Sequence, residues 1–131
     1  MPTFAFRNIE SIRCTIVTFK KLVRNGKCFL DEFEEEIKDN PKYKSEYKTI
    51  LSYIELYSNS ALLPKSKFRE IKGKKPKQYE FKSKNLRIYA VQVENEKIIV
   101  IGGYKNTQTK DFNRLDVISK ELKGAQWKEM N

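Results

Sequence analysis

The sequence predicts an α+β fold in which a small antiparallel sheet carries helices on one face. Segments of alternating apolar and polar residues predict strands, and segments with apolar residues three and four apart predict amphipathic helices. Their order is a strand, two helices, a meander of three strands and a closing helix. The 131 residues contain no internal repeat and no long linker. We therefore expect one domain over residues 1–131.

The N-terminal half is predicted to contribute one strand and two helices. The β-branched segment 11–19 predicts a strand, and the pair Asn25 and Gly26 is typical of a tight turn. Residues 31–39 predict a short helix with carboxylates in its first turn. Pro41 suits the first turn of a second helix that ends near residue 57. The face of that helix predicted to be buried consists of Tyr43, Tyr47, Ile50, Leu51, Ile54 and Tyr57.

The C-terminal half is predicted to contain the meander and the closing helix. Alternation places Leu86, Ile88 and Ala90 on one face of a strand and leaves Arg87 on the other. Gly102 and Gly103 allow a bend or a close backbone approach at the end of the last strand. The predicted segments are a basic loop at 64–76, strands at 78–82, 86–94 and 98–101, a turn at 94–96 and a helix at 112–122.

The charge balance points to a polyanionic partner. Lysine and arginine total 27 against 17 acidic residues, which gives a net charge of +10. Nucleic acid, the ribosome or an acidic protein would fit this balance, although solubility alone would also explain it. The two cysteines, Cys14 and Cys28, lie among apolar residues, and the chain has no histidine. We expect reduced thiols, no metal site and, without a signal peptide or membrane-spanning segment, a cytoplasmic location.

Basic residues are concentrated between positions 65 and 87. Only Glu70 and Glu80 oppose them, and Phe68, Tyr79 and Phe81 are interleaved with them. Cations neutralise phosphates and exposed aromatic rings stack on bases, so the segment is a candidate RNA-binding surface. A solvated basic loop is the alternative. The basic residues are Lys65, Lys67, Arg69, Lys72, Lys74, Lys75, Lys77, Lys82, Lys84 and Arg87.

Three segments together resemble the RelE/HigB ribonuclease toxins of type II toxin-antitoxin systems. They are LPKSKFREIKG, YEFKSKNLRIYAV and EKIIVIGGYKNTQTKDF, followed by a closing helix. Arg87 stands where this family has its strand arginine, and Glu80 and Lys82 match a Glu-x-Arg-like pair. The stretch after the last strand matches through Tyr104, Lys105, Asn106, Thr107 and Gln108.

The resemblance implies a RelE-like fold and cleavage of messenger RNA on the ribosome. The 2′-hydroxyl of the substrate attacks the adjacent phosphate, so no metal or cofactor is required. Arg87 and Lys105 would stabilise charge on the phosphate, and Tyr104 would stack on a base or supply a proton. The base would be a lysine if neighbouring cations lower its pKa, and otherwise Glu80. Arg87 is expected to face a concave basic surface together with Lys82 and Lys105. The implied partner is a small antitoxin with an acidic neutralising segment.

Departures from the family pattern keep two alternatives open. Gln78 and Glu80 stand where RelE-type enzymes have a lysine pair, and Phe112 stands where they have a tyrosine. One alternative is a non-catalytic relative that poisons a nucleic-acid-processing protein, as the gyrase-poisoning ParE branch does. The other is an RNA-binding module without activity.

Overall fold

The computed structural model describes residues 2–14, 16–94 and 96–123, and the backbone of 127–129. The described residues contain seven strands and three α-helices. The strands are β1 (Phe4–Asn8), β2 (Phe19–Arg24), β3 (Phe68–Ile71), β4 (Gln78–Lys82), β5 (Leu86–Val93), β6 (Glu96–Tyr104) and β7 (Trp127–Glu129). The helices are α1 (Phe29–Ile37), α2 (Pro41–Ser58) and α3 (Gln108–Lys123), and a single 3-10 turn, Lys105–Thr107, joins β6 to α3.

All seven strands belong to one mixed sheet with the order β3-β4-β5-β6-β2-β1-β7. Strands β3 to β6 are antiparallel neighbours, as are β1 and β2. Strand β2 pairs in parallel with β6, and β1 pairs in parallel with β7. The α+β class is thus confirmed, but the antiparallel arrangement holds for only part of the sheet. Parallel pairing needs a long crossover, and the chain between β2 and β6 provides one.

The helices pack on both faces of the sheet, so the expectation of helices on one face is wrong. On one face, α1 and α2 bury Phe33, Ile50 and Ile54 against a core that includes Phe81 and Ile88. On the other face, α3 buries its apolar stripe against a second core formed partly by β5 and β6. Strands β5 and β6 have apolar side chains on both faces, and such strands are stable only when other elements cover both faces of the sheet.

The predicted strand at 11–19 is also wrong. Two strands flank this segment, β1 before it and β2 from Phe19 onward. Apart from Thr15, which lies outside the described residues, the chain between them has no regular structure; Ile12 and Cys14 are half-buried and Ile16 is 68% exposed. The backbone N–H groups of Ile16 and Val17 both donate to the carbonyl of Ser58 at the end of α2. The segment is therefore hydrogen-bonded to the end of a helix and not to a neighbouring strand.

Most other elements lie where the sequence predicts them. Asn25 and Gly26 form a two-residue turn with φ of 50° and 79°. Helix α2 begins at Pro41, and Asn40 is its cap because its side chain accepts from the N–H groups at the start of the helix. Strands β4 and β5 and helix α3 agree with the prediction within a few residues. The turn between β5 and β6 includes Asn95, which lies outside the described residues.

The predicted basic loop contains the short strand β3. It pairs with β4 at one edge of the sheet, so that Phe68 lies opposite Phe81 and Arg69 opposite Glu80. Charged residues on a short edge strand, here Arg69 and Glu70, oppose pairing with other chains. This register brings Arg69 onto the face of the sheet that α3 covers.

Candidate functional site

A row of polar side chains crosses β3, β4 and β5 on the face where α3 begins. Arg69, Glu80 and Tyr89 lie opposite one another across the three strands. One pair further along, Lys82 lies opposite Arg87. Residues directly opposite on neighbouring strands share a face and lie close together. The register therefore gathers a carboxylate and three cations at one end of the sheet.

Glu80 is completely buried at the centre of this row. One carboxylate oxygen accepts from Nε of Arg69 at 2.7 Å, and the other accepts from the side-chain amide of Gln108 in α3. A buried carboxylate needs such partners because removing its charge from water is costly. With both oxygens occupied and no exposed surface, Glu80 holds the cations in place and is poorly located to act as a base on RNA.

Arg87 lies on the predicted face of β5 but does not project from it. The residue is only 7% exposed. Its Nη1 atom donates to the carbonyls of Ser83 and Leu86, at 2.6 and 2.8 Å, and its Nε atom lies 3.7 Å from Glu80. The expectation that Arg87 faces a concave basic surface is therefore wrong, because the guanidinium turns back onto its own hairpin.

Lys82 is half-buried, between the buried Arg87 and the exposed Arg69 in accessibility. Partial burial lowers the pKa of its amine; Glu80 opposes this effect, and the nearby Arg69 and Arg87 add to it. A lysine with a lowered pKa is more often neutral, and only the neutral amine accepts a proton. Of the two candidate bases, Lys82 and Glu80, only Lys82 has surface that a substrate can reach.

A carboxylate from α2 fixes the hairpin that joins β4 to β5. Glu46 accepts from the hydroxyl of Ser83 at 2.5 Å, and from the backbone and side-chain nitrogens of Asn85 at 2.8 and 2.7 Å. Burial favours the protonated carboxyl, but these hydrogen bonds outweigh burial and lower the pKa of Glu46. The hairpin that carries Lys82 and Arg87 is therefore held from both faces of the sheet.

The structure separates the other two proposed catalytic residues. Tyr104 lies on the opposite face, where its ring contacts Phe33 and its hydroxyl donates to Glu36 at 2.5 Å. Burial and this bond raise the pKa of Tyr104 to about 12, and the residue does not join the row. Lys105 is exposed at the end of β6, and its backbone N–H donates to the carbonyl of Asn85 beside the hairpin.

The predicted RNA-binding residues surround β3 and its flanking turns. Lys67 and Lys74 are half-buried, with the amine of Lys67 5.0 Å from the ring centre of Tyr53 and that of Lys74 2.9 Å from a carboxylate oxygen of Asp116. The remaining members are exposed at this edge of the sheet: Lys65, Arg69, Lys72, Lys75, Lys77 and Lys84.

The interleaved aromatic residues are not available for stacking on bases. Phe81 is fully buried and Tyr79 is 4% exposed. Phe68 is half-buried, and its ring lies 4.5 and 4.8 Å from those of Tyr57 and Phe81, centre to centre. These rings form the core beneath β3, so a nucleic acid bound at the surface above it would be held by charge and not by stacking on these rings.

Sequence reasoning identified neither Gln108 nor Glu46 as part of the site. Gln108 was noted within the stretch after β6, but nothing local connects it with Glu80. Glu46 lies among exposed residues of α2 with the spacing of an ordinary solvated helix face. Each residue contacts the hairpin from an element distant in sequence, and single-sequence patterns do not report such contacts.

Comparisons with models of known protein families, with curated proteins and with solved structures find no match for this chain. Among the described residues, no helix combines the length and apolar character needed to cross a membrane. Within the same residues, no three histidine, cysteine or acidic side chains are grouped so that they could bind a metal ion.

Proposed function

We propose that the chain is a cytoplasmic RelE/HigB-like toxin, with a RelE-like fold, that cleaves messenger RNA on the ribosome. The supporting observation is the position of Lys82, a partly exposed amine with a lowered pKa between two arginines. In the proposed reaction this amine is the base, and the neighbouring arginines bind the phosphate. The surrounding cations at the β3 edge provide the contacts that an RNA backbone requires.

The chemistry needs only the substrate and these side chains. The neutral amine of Lys82 takes the proton of a 2′-hydroxyl, and the 2′ oxygen forms a bond to the adjacent phosphorus. The bond from phosphorus to the 5′ oxygen breaks, and that oxygen takes a proton from water; the resulting hydroxide takes back the proton held by Lys82. The products are a 2′,3′-cyclic phosphate and a 5′-hydroxyl end. Arg69, whose side chain is 42% exposed, contacts the charged phosphate, and Arg87 adds its charge from below.

Lys105 extends the same surface. It is exposed next to the hairpin, and we assign it to a neighbouring phosphate of the message. Tyr104 is left out of the reaction because it is directed to the opposite face. The proposed partner that restrains the toxin is a small antitoxin with an acidic segment, which suits a chain of net charge +10.

Induction of the protein alone tests this proposal. We expect growth to stop and a translated message to be shortened, while the same RNA without a start codon stays intact. Purified protein should cleave the message in the presence of programmed ribosomes. Cleavage of naked RNA at the same rate would instead indicate a general ribonuclease.

A non-catalytic RelE/ParE-like role is the second candidate. It is favoured by Glu80, which is buried and occupied by Arg69 and Gln108. It is also favoured by the absence from the chain of histidine, which HigB-type toxins often use in catalysis. Growth arrest with intact messages would indicate a poison of a nucleic-acid-processing protein. RNA binding without arrest or cleavage would indicate a plain RNA-binding module.

A further inference from the structure

The buried carboxylate of Glu80 is held from α3 as well as from the sheet. One oxygen accepts from Nε of Arg69 at 2.7 Å. The other accepts from the side-chain amide of Gln108, the first residue of α3, and lies 3.7 Å from Nε of Arg87. Because a carboxylate only accepts hydrogen bonds, its orientation depends on which donors occupy each oxygen.

The turn between β6 and α3 fixes the backbone of Gln108 relative to the sheet. The backbone N–H of Lys105 donates to the carbonyl of Asn85 at 2.8 Å, which attaches the turn to the hairpin between β4 and β5. The hydroxyl of Thr107 donates to the carboxylate of Asp111 at 2.7 Å. Because these bonds fix the backbone before Gln108 and the first turn after it, the amide is held in place.

A second residue of α3 contacts the same ion pair. Phe112 lies one turn after Gln108, and its ring centre is 5.9 Å from the guanidinium carbon of Arg69. Cations at this distance from an aromatic ring are weakly attracted to it. The start of α3 thus contacts both members of the pair between Arg69 and Glu80.

Lys82 is the group that would compete for the carboxylate of Glu80. It lies two residues further along β4, on the same face of the strand. The charge of Glu80 attracts the Lys82 cation, whereas Arg69 and Arg87 repel it. The hydroxyl of Tyr89 is buried on the same face and stays neutral, because burial and the charge of Glu80 raise its pKa. Of these groups, Glu80 is the one toward which the Lys82 amine would move.

We infer that Gln108 is a positioning residue for the reaction proposed above: its amide occupies the oxygen of Glu80 that would otherwise pair with Lys82. The role in cleavage rests on the proposed function, whereas the contact itself does not. With the oxygen occupied, the amine of Lys82 remains available as a base. With the oxygen free, an ion pair would form and keep the proton on the amine.

Arg87 is the competing donor for that oxygen. Its Nε atom forms no hydrogen bond within the described part of the chain. However, its Nη1 atom donates to the carbonyls of Ser83 and Leu86 at 2.6 and 2.8 Å, and these two bonds restrain the guanidinium. Lys82 is half-buried and has a flexible four-carbon stem, so we assign the freed oxygen to its amine.

NMR titration of the full chain with isotope-labelled lysine tests the inference without RNA. The signal of Lys82 is identified by its absence from the spectrum of Lys82→Arg. Gln108→Met keeps the length of the side chain and removes the donor, so we expect the pKa of Lys82 to rise by about one pH unit, with about tenfold less neutral amine at pH 7. Gln108→Ala, a good helix former, should give the same rise and serves as a second variant.

Two further variants separate this contact from a general effect of losing a glutamine. Gln78→Met removes another buried glutamine of the same sheet, which donates to Asp116 at 2.9 Å, and it should change the pKa of Lys82 by less than about 0.3. In a Glu80→Gln background, Gln108→Met should have no effect on Lys82, because no carboxylate remains to pair with it. Melting curves establish that each variant is folded.

The pH dependence of cleavage by Gln108→Met provides a second readout. On programmed ribosomes the rate should be about tenfold below wild type at pH 7 and approach it as the pH rises towards the pKa of Lys82, whereas a merely structural defect would lower the rate at every pH. An unchanged pKa of Lys82 in both Gln108 variants, or an equal rise in Gln78→Met, would overturn the inference. A raised pKa in a protein that cleaves no message would support the contact and overturn the proposed function.

Discussion

At the scale of single residues, alternation along a strand predicts which face a side chain occupies but not what covers that face. Arg87 lies on the face of β5 away from Leu86 and Ile88, as expected, yet it is buried, and its guanidinium is hydrogen-bonded to its own hairpin. Lys82, directly across the strand pair, remains partly exposed. In the proposed reaction the direct phosphate contact expected of Arg87 is therefore assigned to the more exposed Arg69, a distinction that depends on tertiary packing.

Replacement of Arg87 should affect stability. Arg87→Ala removes the donors to two backbone carbonyls within the hairpin, and we expect a loss of about 2 kcal/mol in the free energy of unfolding. Urea denaturation measures this loss. The matched variant Lys84→Ala, at an exposed position of the same hairpin, should change it by less than about 0.5 kcal/mol. An unchanged urea midpoint for Arg87→Ala would contradict the buried arrangement.

At the scale of elements, the local sequence pattern predicts a helix or strand correctly where buried residues recur at regular spacing. It fails where a strand forms by pairing with a segment that is distant in sequence. Helix α2 and strands β4 and β5 have clear periodicity and were predicted nearly to their ends. Strand β2 contains Lys20 and Lys21, and two adjacent lysines give the segment the appearance of a polar loop. Lys20 is nevertheless buried, with only 7% of its surface exposed. Pairing with β1 and β6 decides that β2 is a strand, and neither contact is visible locally. Strand β3 has only four residues and lies at an edge.

The end of β6 depends on glycine for close packing. A Cβ atom at Gly102 would lie 2.4 Å from a ring carbon of Phe33, which is buried and cannot move away easily. We expect Gly102→Ala to cost about 3 kcal/mol of unfolding free energy through overpacking. Gly26→Ala meets no atom within 4 Å but has a φ of +79°, so it should cost about 1 kcal/mol. Urea midpoints compare the two, and a Gly102 variant as stable as wild type would contradict the register of α1 on β6.

The hydrogen bonds from Glu46 in α2 to the hairpin between β4 and β5 should make the free energy of unfolding depend on pH. Because the folded chain lowers the pKa of Glu46 below its ordinary 4.5, its stabilising effect is present above that value and is lost as the pH falls through the folded pKa. Glu46→Gln should therefore unfold more easily at pH 7, by about 1 kcal/mol, and match the wild type near pH 3. Melting curves across this range provide the test. An equal difference at both pH values would show that charge on Glu46 is not involved.

At the scale of the whole molecule, the positive charge is unevenly distributed. The exposed lysines around β3 occupy one edge of the sheet, whereas α1 exposes Glu32, Glu34, Glu35 and Glu36. Composition predicts only the sign of a partner's charge, because a total charge contains no information on where the basic residues lie. The fold concentrates the basic residues next to Lys82. An RNA bound by these residues would therefore lie close to the proposed base.

Binding to ribosomes should therefore weaken steeply with salt. Each phosphate contact contributes about one to the slope of log K against log salt concentration, so Lys72→Ala/Lys75→Ala/Lys77→Ala should reduce that slope by up to about three. The matched triple variant on α2 is Lys42→Ala/Lys44→Ala/Lys48→Ala, also at exposed positions, and its slope should stay close to that of the wild type. Equal slopes for the two variants would exclude the β3 edge as the phosphate-binding surface.

Cleavage by variants of Lys82 tests the central claim most directly. Lys82→Arg keeps the charge but cannot accept a proton at neutral pH, so we predict that it and Lys82→Ala both cleave a ribosome-bound message at least about a hundredfold more slowly, with unchanged melting. Lys84→Arg should stay within about threefold of wild type, and the wild-type rate should rise with pH towards the pKa of Lys82, which lies below its ordinary 10.5. If Lys82→Arg cleaves at the wild-type rate, Lys82 is not the base and the proposed site is wrong.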